Sequence, residues 1–193
     1  LRMKRGDPVK VIDGKGNMYE GAIEDPDQKR GIIEVHSVHR DFEKRNYKLH
    51  IAISPLKNPD RFEWFVEKSV EFGIDDITPL ICRNSEKQSV RQERINNLII
   101  SAMKQSLKAK ITRLNTPAAF SDFITGEQKG KLMIAHCDNS LERKGIANTY
   151  KKGENAVIMI GPEGDFSNEE ITSATEKGYI PVHLGPGRLR TET

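Results

Sequence analysis

The sequence predicts an α+β protein with two domains, a small β domain over residues 1–46 and an α/β domain over residues 47–193. Two observations lead to this fold class. Up to residue 46, short alternating apolar and polar runs are separated by glycine turns, whereas from residue 47 strand-like runs alternate with helical patterns. With 193 residues, of which 36% are hydrophobic, the chain is long enough for two small cores.

The β domain rests on two alternating stretches, "PVKVIDGKGNMYEGAIE" and "GIIEVHSVHRDF". Between the apolar runs of the first stretch lies "DGKG", where glycine supplies the positive φ that a tight turn requires. We therefore expect a hairpin near residue 14.

The α/β domain opens with strand "YKLHIAI" and helix "NPDRFEWFVEKSVEFG". Asn58 can cap this helix, Pro59 fits its first turn, and Gly73 ends it. Its predicted buried face consists of Phe62, Phe65, Val66 and Ser69.

The remaining elements follow in alternation. They are strand "ITPLIC", helix "RQERINNLIISAMKQSLK", strand "KLMIAHC", a polar helical stretch, strand "AVIMI", helix "SNEEITSATEK" and strand "IPVHL". Such alternation is typical of a parallel sheet with helices on both faces.

The charge distribution is more informative than the net charge of +3. Residues 83–113 contain eight basic residues and two acidic ones. This local excess predicts a surface that attracts a polyanion.

Several residue types argue against metal sites, disulfides and membrane insertion. Cys82 and Cys137 lie in apolar runs, so we expect two buried reduced thiols and no disulfide. The five histidines show no metal-ligand spacing, and His50, His136 and His183 are expected to be hydrogen-bonded core residues, so no metal is predicted. No run approaches a membrane span and no signal-peptide pattern is present, which predicts a cytoplasmic protein.

Both ends of the sequence look cut. The chain begins at "LRMKRGD" in a strand-like rhythm, and it stops at Thr193 in a polar loop. We expect a β domain truncated at its N-terminus and an α/β domain that lacks a C-terminal helix.

Two glycine-bearing loops, "GPEGDF" and "GPGRLRTET", follow predicted strands. Ligands of parallel sheets bind beyond the carboxyl ends of the strands, where these loops lie. A phosphate loop would need a lysine and a serine or threonine after its last glycine, and neither follows here. The acidic residues Glu163 and Asp165 suit a cationic ligand, and S-adenosylmethionine with its sulfonium fits. Ordinary glycine turns are the alternative reading for a single loop.

Four segments, "IGPEGDFSNEE", "LGPGRLRTET", "EWFVEKSVEFGIDDITPL" and "SAMKQSLKAK", together resemble the bacterial 16S ribosomal RNA uridine N3-methyltransferase family of the SPOUT superclass. The resemblance implies an N-terminal PUA-like β-barrel that binds RNA and a C-terminal α/β domain with a deep trefoil knot. It also implies S-adenosyl-L-methionine as cofactor, a homodimer, and a uridine in 16S ribosomal RNA of the small ribosomal subunit as target.

On this basis we assign candidate residues. For an N3 uracil anion, Arg190 can supply positive charge, and Glu192 or Glu163 can accept the proton. A salt bridge from Arg190 to either acid is the structural alternative. The candidate cofactor-binding residues are Ile160, Gly161, Pro162, Gly164, Leu184, Gly185, Leu189 and Thr191. The candidate RNA-binding residues are Arg91, Lys104, Gln105 and Lys108. The resemblance places Gln105 near the active site, but a solvated helix face explains it equally well.

Other functions stay open from sequence alone. A non-catalytic RNA-binding protein would need neither glycine loop, and a SPOUT methyltransferase could act on another RNA. An enzyme of the doubly wound type acting on a phosphate ligand is disfavoured by the two acids in the first loop.

Overall fold

The structure is a computed structural model that describes residues 3–27, 29–138 and 141–193, so residues 1, 2 and 28 of the predicted β domain lie outside it. The strands are β1 (Pro8–Ile12), β2 (Met18–Asp25), β3 (Ile32–His39), β4 (Leu49–Ile53), β5 (Asp76–Ile81), β6 (Arg113–Leu114), β7 (Ala118–Ala119), β8 (Lys131–Ala135), β9 (Lys144–Gly145), β10 (Ala156–Ile160) and β11 (Ile180–His183). The helices are α1 (Pro59–Phe72), α2 (Gln92–Gln105), α3 (Phe120–Thr125), α4 (Ile146–Thr149) and α5 (Asn168–Glu176).

The first three strands form an antiparallel sheet in the order β1-β2-β3. The predicted hairpin is confirmed, since β1 pairs with β2 around residues 13–17. Its turn is closed by the Asp13 carboxylate, which accepts hydrogen bonds from the backbone N–H groups of Lys15 and Asn17. Hydrogen bonds from Asn17 are the main reason why the pKa of Asp13 falls to about 2.

The second sheet has eight strands in the order β6-β5-β4-β10-β8-β11-β9, and β7 pairs with β5. Every pairing within it is parallel, as the alternation of strands and helices predicts. One apolar core contains residues of α1 and α2, including Phe62, Val66 and Ile99. Another contains residues of α3 and α5, including Phe123 and Ile171. Helices therefore cover both faces of the sheet.

Local sequence signals determine α1 as expected. The Asn58 side chain accepts a hydrogen bond from the Asp60 N–H, Pro59 begins the helix, and Gly73 ends it at φ 77°. Helix α2 ends at Gln105, three residues earlier than the sequence predicts. Its last turn closes when the Ser106 hydroxyl donates to the Ala102 carbonyl, and Leu107 then adopts a positive φ of 54°.

The polar stretch before β10 differs from the helical expectation. Among its described residues it forms the two-residue strand β9 and the single-turn helix α4. Helix α3 and strands β6 and β7 were not predicted. These elements are two to six residues long, so packing against neighbouring strands decides their conformation more than periodicity does.

The antiparallel sheet is fixed to the parallel sheet through its hairpin. The Gly16 N–H donates to the Ala109 carbonyl (2.9 Å), and the Ile111 N–H donates to the Gly14 carbonyl (3.0 Å). Nearby, the buried carboxylate of Asp75 pairs with Arg45 (2.9 Å) and Lys110 (2.7 Å). The junction thus combines backbone hydrogen bonds with an ion-pair cluster around one buried carboxylate.

Candidate functional site

The two glycine loops follow the two strands that flank β8, and both loops line one cavity of about 550 Å³. The first loop follows β10 and the second follows β11, so both lie at the carboxyl edge of the sheet. Ten of the predicted cofactor-binding and catalytic residues line this cavity: Ile160, Gly161, Pro162, Glu163, Leu184, Gly185, Leu189, Arg190, Thr191 and Glu192. Gly164 is not among the lining residues.

Packing and hydrogen bonds hold the first loop in place. A Cβ atom on Gly161 would lie 3.1 Å from the ring of the buried Phe166, so glycine permits this close approach. Asp165 adopts a positive φ of 64°. Its carboxylate accepts hydrogen bonds from the N–H groups of Cys137 (2.6 Å) and Phe166 (2.8 Å). The side chain therefore ties this loop to the end of β8.

A capping box fixes where the loop turns into α5, as the sequence predicts. The Ser167 hydroxyl accepts from the Glu170 N–H, and the Glu170 carboxylate accepts from the Ser167 N–H. The other oxygen of Glu170 accepts from the Arg83 N–H at 2.8 Å. The start of α5 is thereby joined to the segment that follows β5.

Glu163 has a structural contact that sequence reasoning missed. Its carboxylate accepts a hydrogen bond from the backbone N–H of Lys57 at 3.1 Å. Both acids of the first loop are thus hydrogen-bonded to backbone amides. Neither carboxylate is therefore fully available to a cationic ligand. The acid with a buried oxygen that has no hydrogen-bond partner among the described residues lies instead in the second loop.

That acid is Glu192, whose side chain is 10% exposed. One of its oxygens lies 3.6 Å from the Arg61 guanidinium, and the other is buried without a hydrogen-bond partner in the described structure. Arg190 forms no ion pair with either Glu192 or Glu163 in the described part of the chain. Its guanidinium is exposed, so the salt-bridge alternative for Arg190 has no support here.

His136 is a lining residue that the sequence analysis did not select. It is 4% exposed, and neither ring nitrogen has a hydrogen-bond partner among the described residues. Burial is the main cause that lowers its pKa, while Asp165 opposes the shift. The expected hydrogen-bonded histidine is found for His50, next to Thr78 (2.7 Å), and for His183, which donates to the Gly185 carbonyl (3.1 Å). For His136 the expectation was wrong, because β8 ends just before it.

The two cysteines have different environments. Cys82 is buried as expected, and burial raises the pKa of its thiol to about 12. Cys137 is exposed and lines the cavity, so its predicted burial was wrong. It lies beyond the last residue of β8, which explains why the apolar pattern of the strand does not extend to it.

The predicted RNA-binding residues lie outside this cavity. Arg91, Lys104 and Gln105 are exposed, and Lys108 pairs with Glu43 at 3.2 Å. Five of the eight basic residues in the segment pair with acids: Arg83 with Glu169, Arg94 with Glu63, Lys108 with Glu43, Lys110 with Asp75, and Arg113 with Asp76. All five acids come from outside residues 83–113, so a count within the segment overstates its free positive charge.

Metal binding would need clustered ligand side chains, and membrane insertion would need a long apolar helix. Within residues 3–27, 29–138 and 141–193, no group of three or more His, Cys, Asp or Glu side chains could hold a metal ion. No helix in the same ranges has both the length and the apolar character needed to cross a membrane.

Comparison with known proteins gives consistent matches. The family model of the RNA methyltransferase domain matches residues 43–193. The ribosomal RNA small subunit methyltransferase E of Aquifex aeolicus is 30% identical, and the alignment covers 100% of this chain and 83% of that protein.

Solved structures agree with these sequence matches. The probable rRNA-methyltransferase from Porphyromonas gingivalis has a TM-score of 0.90 and 36% identity, covering 100% of this chain and 82% of that one. A methyltransferase from Legionella pneumophila, solved with the bound cofactor SAM, has a TM-score of 0.85 and 28% identity, covering 100% and 80%.

Proposed function

Because this chain belongs to the RNA methyltransferase domain family, we propose that it transfers a methyl group from S-adenosylmethionine to N3 of a uridine in 16S ribosomal RNA. The relative from Aquifex aeolicus carries the name of a small-subunit ribosomal RNA methyltransferase. The observation that carries the proposal is the single cavity lined by both glycine loops together with Arg190 and Glu192.

The residues of the cavity fit S-adenosylmethionine. Its volume of about 550 Å³ lies within the usual range for small-molecule sites. Gly185 leaves open space for a flat ring beside the second loop, and the Glu192 carboxylate places a negative charge at the cavity, which suits a sulfonium cation. When bound, this cofactor supplies an electrophilic methyl group. The Legionella relative contains SAM, which supports the same ligand here.

The protein side chains would then act on the uridine. N3 must lose its proton before it attacks, and the resulting charge spreads to the uracil oxygens. The Arg190 guanidinium would stabilise that charge with its planar pair of donors. Of the two candidate proton acceptors we favour Glu192 over Glu163, since one Glu192 oxygen is buried without a partner among the described residues, and burial favours the protonated form of a carboxylate.

We extend the proposal to architecture and assembly. Residues 1–46 would form part of a PUA-like RNA-binding barrel, to which the β1-β2-β3 sheet contributes. Residues 47–193 would form the methyltransferase domain, with the segment after β11 entering a trefoil knot. Two copies would form a homodimer, and exposed Trp64 (48%) and Phe72 (80%) are candidates for its contact. A ribosomal RNA substrate supports a cytoplasmic location.

The cofactor assignment can be tested by calorimetry with S-adenosylmethionine and with ATP. Gly185→Val places a side chain in the cavity, where no atom of the described residues lies within 4 Å of its Cβ, and should abolish S-adenosylmethionine binding. Gly178→Val is the control, because this glycine also has a positive φ (88°) and free space but lies outside the cavity. Equal affinities in parent and Gly185→Val would move the cofactor site elsewhere, and ATP binding alone would indicate a phosphate-ligand enzyme.

The reaction itself can be tested on ribosomal RNA. Mass-spectrometric mapping in cells with and without the gene should show the loss of one N3-methyluridine from 16S ribosomal RNA. Loss of a modification in another RNA would retain the chemistry and change the substrate. No change in any RNA, together with RNA binding, would indicate a non-catalytic RNA-binding protein.

A further inference from the structure

A second cavity, of about 330 Å³, lies between the N-terminal ends of α1 and α2. We call it the α1–α2 cavity. Its lining includes Leu56, Phe62 and Ile95, each exposed by 3% or less, so part of its wall is well-packed apolar surface. Its volume lies near the lower limit for small-molecule sites, which suits a group much smaller than a whole cofactor.

The free positive charge of the basic segment is concentrated at this cavity. After the five ion pairs, Lys87, Arg91 and Lys104 have no acidic partner in the described part of the chain. Lys87 and Arg91 are exposed and line the α1–α2 cavity. The cavity is therefore bordered by two unpaired cations.

Two acidic residues, Asp60 and Glu63, also line the α1–α2 cavity and reduce its positive charge. The Glu63 carboxylate receives two hydrogen bonds from the Arg94 guanidinium (2.5 and 2.9 Å) and is neutralised by it. Asp60 is the other acid, and it lies at the first turn of α1. Lys87 and Arg91 thus outnumber the one acid without a cationic partner, and the balance suits an anionic group next to an apolar one.

The cavity of about 550 Å³ proposed for S-adenosylmethionine is called the cofactor cavity. The α1–α2 cavity lies at the same edge of the sheet. Pro55 and Leu56 of its wall follow β4 directly, and the next residue, Lys57, donates its N–H to Glu163 of the cofactor cavity. The Ser54 N–H also donates to the Ile160 carbonyl (3.0 Å). A flexible polymer that places one unit in the cofactor cavity can therefore reach the α1–α2 cavity with a neighbouring unit.

We propose that the α1–α2 cavity binds a nucleotide of the substrate RNA close to the target uridine. The base would contact the apolar wall of Leu56 and Phe62, while Arg91 and Lys87 would bind its phosphate. An RNA nucleotide joins a flat apolar ring to an anion, which matches the combination of surfaces at this cavity. This inference rests on the proposed function, since it assumes that RNA reaches the cofactor cavity.

The test measures binding to small ribosomal subunits from cells that lack the gene, as a function of salt. Arg91→Gln removes the phosphate contact, and Ser89→Trp fills the cavity from an exposed position in its lining. Lys152→Gln is the control, because this exposed cation lies before β10, at the opposite edge of the sheet from the α1–α2 cavity. We expect roughly tenfold weaker binding for Arg91→Gln and Ser89→Trp, with a salt slope reduced by about one for Arg91→Gln. Lys152→Gln should bind like the parent.

The outcomes separate this inference from the proposed function. Unchanged binding by Ser89→Trp would show that the cavity stays empty, and equal losses for Arg91→Gln and Lys152→Gln would show diffuse charge attraction. Either result overturns the inference, provided that the parent binds S-adenosylmethionine and methylates the subunit. If the parent does neither, the proposed function itself fails. Because Ser89 and Arg91 are exposed, thermal unfolding of both variants should match that of the parent.

Discussion

At the scale of single residues, Arg190 lines the cofactor cavity with an exposed side chain. Arg190→Lys keeps the charge but loses the planar pair of donors. We expect methyl transfer at saturating RNA to fall by about 10 to 1000-fold, as for the loss of one preorganised donor, while the S-adenosylmethionine affinity measured by calorimetry changes little. Arg188→Lys is the matched control, because Arg188 is an exposed residue of the same loop and also lines the cavity. Normal methylation by Arg190→Lys would remove Arg190 from the catalytic assignment.

His136 should make stability depend on pH. Its pKa is lowered below 6.5 in the folded protein, chiefly by burial, so below about pH 6.5 the unfolded chain binds more protons than the folded one. The free energy of unfolding should therefore decrease as pH falls from about 6.5 towards the lowered pKa, by at most about 1.4 kcal/mol per pH unit for this group. His50, whose pKa is also lowered mainly by burial, contributes in the same direction.

Urea denaturation near pH 7 and near pH 5 can separate the two histidines. His136→Gln removes one titrating group and should lose less stability between these conditions than the parent. The same loss in both proteins would mean that His136 is protonated in the folded state without cost.

At the scale of elements, Glu170 connects α5 to the segment after β5. Ser167→Ala removes one cap and should lower the free energy of unfolding by about 1 kcal/mol. Glu170→Ala removes the hydrogen bonds accepted from both Ser167 and Arg83, and should cost about 2 to 3 kcal/mol. Chemical denaturation compares the two variants. Equal losses would show that the Arg83 contact contributes nothing.

The elements that sequence predicted well are those with local signals. The limits of α1 follow from Asn58, Pro59 and Gly73, and the start of α5 follows from the capping box, because each signal acts within one helical turn. Strands β6, β7 and β9 have two residues each, and their pairing depends on distant parts of the chain. No local pattern encodes such a contact.

In the candidate site, too, features with local sequence signals were predicted and long-range contacts were not. Sequence predicted that both glycine loops lie at the carboxyl edge, because strand ends follow from the alternation of elements. It did not reveal that Glu163 bonds to the Lys57 N–H, that Glu192 lies by Arg61, or that the His136 ring has no hydrogen-bond partner among the described residues. The first two contacts join residues more than a hundred positions apart, and only the folded arrangement brings them together.

At the scale of the whole molecule, Asp75 lies at the junction between the two sheets and pairs with side chains there. Its side chain is 6% exposed and accepts hydrogen bonds from Arg45, Lys110 and the Leu49 N–H. Asp75→Ala should lower the free energy of unfolding by about 1 to 3 kcal/mol, since it removes the acceptor of the Leu49 N–H and of two cationic side chains. Asp41→Ala is the control, because that carboxylate is 67% exposed in its pair with Lys44, and its loss should cost less than about 1 kcal/mol. Similar denaturation midpoints for the two variants would contradict a structural role of Asp75.

The two cysteines differ in exposure, so a thiol reagent should label Cys137 selectively. Thiolates are the reactive form of cysteine. The Cys82 thiol is buried in the core with a pKa of about 12, so it should not react with an aromatic disulfide reagent. The Cys137 thiol is exposed within the lining of the cofactor cavity and should react as a single group per folded chain. Saturating S-adenosylmethionine should slow that reaction. Absorbance of the released thiol would then report how fully the site is occupied, without any RNA present. Reaction at an unchanged rate would place the bound molecule away from the end of β8.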